Sequence, residues 1–111
     1  MKLPNGDSAF ISLDKLRHYS LNPNHSRGKH KARLFAAILG LTNQDAELLR
    51  SFIIEAIQQY EAIPGMVDQY GQRYIVDFPL TRNQNTATVR TTWIIHPDET
   101  SPRLVSCYIL K

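Results

Sequence analysis

Acidic residues are missing from one long stretch of this chain: none occurs from Lys15 through Gln44. Lys15, Arg17, Arg27, Lys29, Lys31 and Arg33 all lie inside that window, so no acid along the chain offsets their charge. Cysteine is nearly absent too. A single Cys107 excludes an internal disulfide and a cysteine-based zinc site. Its position in an apolar, alternating run marks it as a buried and inert thiol. No apolar run could span a bilayer, and Met1 to Ser12 is too polar and interrupted for a signal peptide. A cytoplasmic protein without membrane contact is expected. The glycine patterns that cradle nucleotide phosphates are also missing, and no Pro/Gly/Ser-rich linker or internal repeat divides the chain.

What remains is a single domain over residues 1–111, with 42% hydrophobic and 21% charged residues, enough to bury a core. The net charge of +3 is a mild bias, and its uneven distribution counts for more. Ser12 reads as the N-cap of a short helix, Leu13 to Tyr19, with Phe10-Ile11 before it as a short strand or packing anchor. Asn22-Pro23-Asn24 ends that helix. Ala32, Phe35, Ala36 and Leu39 share one face of a second helix, about Lys29 to Leu39, stopped by Gly40. Thr42 and Asp45 form a capping-box pattern for a third helix, about Asn43 to Tyr60, with Leu49, Phe52, Ile53, Ala56, Ile57 and Tyr60 as its buried stripe. Pro64-Gly65 is expected to close the helical half.

Beyond Gln69 the apolar period changes from 3.6 to 2. Arg73 to Leu80, Ala87 to His96 and Leu104 to Leu110 are strand candidates, joined by turns at Asn83–Asn85 and Pro97–Glu99. The expected fold is α+β, with N-terminal helices packed on one face of a C-terminal antiparallel sheet of three to four strands. Pro79 suggests that its strand lies at an edge or finishes there. Alternation sends Val89, Thr91, Trp93 and Ile95 to one face and Arg90, Thr92, Ile94 and His96 to the other. The Trp93 side is the more apolar and should take the helices.

Four stretches carry a resemblance: L-N-P-N-H at Leu21–His25, G-K-H-K-A-R-L-F at Gly28–Phe35, V-R-T-T-W-I-I at Val89–Ile95 and P-R-L-V-S-C-Y at Pro102–Tyr108. Through them the chain resembles a family of small bacterial proteins known as a domain of unknown function. The resemblance implies components of toxin–antitoxin or other mobile defence loci, with a small acidic antitoxin protein as partner. At fold level the helix-then-sheet order is similar to the barnase/EndoU/RelE group of metal-independent ribonucleases, which cut RNA on an open sheet face.

The residues themselves supply a matching constellation. Metal-independent cleavage of RNA needs a base for the 2′-OH proton, an acid for the leaving oxygen and cations for the transition-state charge. His30, Arg90, Thr92 and His96 are the candidates for catalysis. Arg27, Lys29, Lys31, Arg33 and Tyr108 are the candidates for holding substrate. Neither a cofactor nor a metal is expected: His25 and His30 are five residues apart and lack a neighbouring carboxylate. Simpler roles compete at each position. His30 at a helix start suits the surface, Arg90 could pair across strands with Asp77, and Tyr108 could belong to the core. Two readings therefore stand: a ribonuclease, or a non-catalytic module whose basic patch docks nucleic acid or an acidic protein.

Overall fold

The computed structural model describes residues 1–110. Ser12 opens the first helix by accepting the Lys15 N–H on its side-chain oxygen at 3.1 Å. This helix, α1, covers Leu13–Lys15 and continues in a wider π-type winding over Leu16–Ser20. The second helix, α2, is Lys29–Leu39. Gly40 ends it in the left-handed region at φ 64°, where its N–H and that of Leu41 return to Ala36 and Phe35 carbonyls. The Arg82 guanidinium also binds the Leu39 and Gly40 carbonyls at 2.8 and 3.0 Å, placing a cation on the negative end of α2. The Thr42–Asp45 capping box is formed, and Asn43–Asp45 makes a tight turn into α3, Ala46–Gln59. Leu49, Ile53, Ala56 and Ile57 are buried as expected, and Phe52 is partly buried. Tyr60 is not: it follows the last helical residue and stands at the exposed rim.

The sheet is a four-stranded antiparallel meander in the order β1-β2-β3-β4. Its strands are β1, Ala62–Asp68; β2, Gly71–Arg82; β3, Asn85–Ile95; and β4, Arg103–Ile109. Strand β1 corrects the expectation that Pro64-Gly65 merely closes the helical half. The proline is tolerated because β1 is an edge strand, and its pairing with β2 is broken by a bulge between Pro64 and Val67. Pro79 does not make β2 an edge strand, since β2 pairs on both sides. Pairing with β1 stops at Val76, however, so the missing N–H of Pro79 costs no ladder bond. Asn83 and Gln84, both at positive φ, make the two-residue turn into β3. Phe10 adds a single parallel bridge to Arg103, with main-chain bonds to Pro102 and Leu104.

Helices α2 and α3 cover one face of the sheet, α2 over β3 and β4 and α3 over β2. Val89, Thr91 and Trp93 point into that core. Trp93 is 1% exposed, and its indole N–H donates to Thr91 Oγ1, which donates to the Val76 carbonyl, each at 2.8 Å. The core thus keeps one polar relay, fully satisfied. Among the described residues, no helix packs on the opposite face. Arg90 and Thr92 stand half-buried there, as the alternation of β3 predicts.

Candidate functional site

Strand register makes the centre of the open face. Asp77 of β2, Arg90 of β3 and Tyr108 of β4 lie directly opposite one another in successive pairs. The Arg90 guanidinium meets Asp77 as a two-pronged fork: Nε to Oδ1 and Nη2 to Oδ2, both 2.9 Å. These bonds raise the Arg90 pKa further above its ordinary value, with burial opposing the shift and Tyr108 reinforcing it. The cross-strand pair expected as the simpler role for Arg90 is therefore formed. One strand position along, the Thr92 and Ser106 hydroxyls share a hydrogen bond of 2.6 Å.

Helix α2 reaches the same place. The Lys31 ammonium lies 4.3 Å from the centre of the Tyr108 ring, a cation–π contact linking the basic stretch to the β4 strand. Tyr108 is thus not a core residue but a half-buried platform between Lys31 and Arg90. Lys31, Tyr108, Arg90, Thr92 and Ser106 converge, from segments far apart in sequence.

The other expected residues go elsewhere. Successive α-helical residues turn by about 100°. Ala32, Phe35 and Leu39 define the buried side of α2, which leaves exposed His30 on the outward side, one step round from Lys31. Lys29 and Arg33 lie on the flank opposite Lys31, and Arg27 is exposed in the loop. His96 falls just outside β3, where its Nδ1 donates to the Tyr70 carbonyl at 2.9 Å. Six residues of strand separate it from Arg90, roughly 20 Å at the usual rise. The structure thus separates His96 from the Arg90 centre.

His25, part of the basic stretch, has a specific task. Its Nδ1 accepts the Arg27 and Gly28 N–H groups at 3.0 and 3.1 Å, while its carbonyl accepts that of Lys29 at 3.0 Å. Its ring meets Tyr19 edge-on, 4.5 Å between centroids. One imidazole, with its proton on Nε2, therefore winds the loop that launches α2. Gly28 is required beneath it, because a Cβ there would come within 2.7 Å of the Tyr19 carbonyl oxygen. Sequence reading missed this role, and the only hint was histidine three residues before the glycine that precedes the helix.

Cys107 faces the core and is buried; desolvation pushes its thiol up to about 11, with the Ser20 hydroxyl pulling modestly the other way. Among the described residues, no three His, Cys, Asp or Glu side chains gather as a metal site would need, and no helix is long and apolar enough to cross a membrane.

Fold and face together define a class: a small α+β domain whose helices cover one side of a meander and whose other side presents a basic, hydroxyl-bearing centre. The chain belongs to the family described as Domain of unknown function (DUF6883), whose model matches residues 2–111. Its fold is shared with a chain of the contact-dependent growth inhibition toxin–immunity protein complex from Klebsiella pneumoniae 342. That chain is 14% identical, with a TM-score of 0.70, covering 90% of this chain and 98% of the other. None of the curated proteins matches.

Proposed function

We propose that this protein is a toxin-like, metal-independent ribonuclease that cleaves RNA phosphodiesters on the open face of its sheet. The observation that carries the reading is the convergence of Lys31, Tyr108 and Arg90. A non-bridging phosphate oxygen set against Arg90 and Lys31 would meet two cations as negative charge builds on phosphorus. The Thr92–Ser106 hydroxyl pair would add a hydrogen-bond donor beside it. In the reaction a base removes the 2′-OH proton, the 2′-oxygen attacks phosphorus, and the 5′-oxygen leaves with a proton from an acid. With His96 distant, the proton carriers left are the Tyr108 phenol and His30 on the outer side of α2. The fold shared with a chain of a growth-inhibition toxin–immunity complex supports a toxin-like setting. A small acidic protein covering the basic centre would be the natural inhibitor, and cytoplasmic RNA the natural substrate.

The test is incubation of purified protein with RNA in EDTA. Cleavage to products with 2′,3′-cyclic phosphate ends, lost in Arg90→Ala and Lys31→Ala, supports the enzyme. Intact RNA at high protein concentration contradicts it. A second reading, a non-catalytic polyanion-binding module, is favoured by one observation: the Arg90 fork is already occupied by Asp77. In that case RNA binds, uncut, with an affinity that falls steeply with salt.

A further inference from the structure

We propose that the cleft between the Leu21–Asn24 segment, α2 and the Thr42–Gln44 turn takes an unpaired RNA base, with its flanking phosphates held by Lys29 and Arg33. This rests on the RNA reading above and adds to it a base-recognising subsite on the other flank of α2 from Lys31. The cleft has a volume of about 430 Å³, within the range of small-ligand sites. Leu21 and Ala32 are buried at its floor, and Ala36 continues that floor with only a methyl group. Pro23 forms a flat apolar wall. A planar ring can therefore approach the α2 backbone closely without displacing a larger side chain.

The rim supplies the polar groups. Asn24, Asn43 and Gln44 line the cleft, and their side-chain amides bond to no other described residue; the Asn24 and Gln44 main-chain N–H groups donate to the Asn22 and Thr42 side chains. Each free amide offers donors and an acceptor together, the complement of a base edge. The Asp45 carboxylate, next in the chain after Gln44, does not line the cleft and is engaged by Thr42, accepting its N–H at 2.9 Å and lying 3.3 Å from its hydroxyl. Lys29 and Arg33 share a helix face with Ala32 and Ala36, at i, i+3, i+4 and i+7. Neither enters an ion pair among the described residues. An acidic protein segment would want cations inside the cleft; here the interior is apolar, the rim is amide, and the cations stand outside. That order matches a base flanked by phosphates. Bases inside an RNA duplex cannot be splayed into such a cleft, so the substrate would be single-stranded or looped.

The experiment follows the side-chain amide signals of the ¹⁵N-labelled full chain during titration with the four nucleoside monophosphates and with ribose 5-phosphate. It also measures affinity for a short unstructured RNA and its fully abasic counterpart. Asn24, Asn43 and Gln44 should shift with at least one nucleotide and not with ribose 5-phosphate. The Asn43→Ala/Gln44→Ala variant should bind the RNA about tenfold more weakly, the loss expected of one or two hydrogen bonds, yet bind abasic RNA like the parent. Equal shifts from ribose 5-phosphate, or unchanged RNA affinity in the amide variant, would overturn the subsite. The RNA reading would then still stand if Lys29→Ala/Arg33→Ala weakened binding, whereas a parent protein that binds no RNA sinks both.

Discussion

Arg90 is held in a two-pronged pair with Asp77 across β2 and β3, and the proposed chemistry would use the same side chain. Its pairing with Asp77 was legible in the sequence, because a short hairpin and period 2 put them on one face. Tyr108 was harder to place: β4 follows a longer connection, and its pairing with β3 shifts between Thr92 and Trp93. Nothing in the local sequence announces such a shift. Since Asp77 orients the guanidinium, Asp77→Asn should cost at most about 1 kcal/mol of stability, as half-exposed pairs do. It should tighten RNA binding by removing a negative charge while lowering the cleavage rate; titration and single-turnover assays would separate the two. Gly28→Ala should be worse for the fold. A methyl group pressed on the Tyr19 carbonyl should cost about 1–3 kcal/mol, read by urea unfolding. Cys107, with its thiol pushed up to about 11 by burial, should resist alkylation at pH 8 until the protein is unfolded.

Among the elements, helices were the easier to read, because caps and breakers are local. Ser12, Gly40 and the Thr42–Asp45 box all act as their positions suggest. Strand β1 escaped notice since proline and glycine punctuate turns far more often than edge strands. In the sequence the loop before α2 shows only its charge, because the order that His25 imposes on it depends on main-chain N–H groups turned back onto the ring. That order gives a prediction: His25→Ala should speed exchange of the Arg27 and Gly28 amides by at least about tenfold, one lost hydrogen bond's worth. His25→Asp, which restores an acceptor, should exchange near the parent rate. At the other end of the sheet Glu99 binds Arg103 through two bonds of 2.9 and 2.8 Å. The Arg103 guanidinium holds this carboxyl below its ordinary value, with burial opposing. A lowered folded pKa stabilises above the unfolded value of about 4.3, and the benefit is lost as pH falls through the folded value. Glu99→Gln should accordingly flatten the acid limb of a stability–pH curve and leave the shape above pH 6 unchanged.

For the whole molecule, the arrangement of helices on one face and a polar centre on the other followed from the change of hydrophobic period along the chain. Less legible was how the basic stretch would be divided. Helical geometry sends Lys31 round to the sheet, turns Lys29 and Arg33 to the opposite flank and leaves His30 facing outward. Charge that looks continuous in sequence becomes two surfaces on either side of one helix. If RNA crosses both, binding should weaken as a steep power of salt concentration, and removing Lys29 and Arg33 should reduce that slope by about 1.4 for a single strand. The proposed activity is phosphodiester cleavage at the Lys31–Tyr108–Arg90 centre. Its most direct test is single-turnover cleavage of RNA in EDTA by the parent protein, Arg90→Ala and Lys31→Ala. Cyclic-phosphate products are expected from the parent, with a loss of about a hundredfold or more in each variant. Undiminished cleavage in both variants, or none by the folded parent, would contradict it.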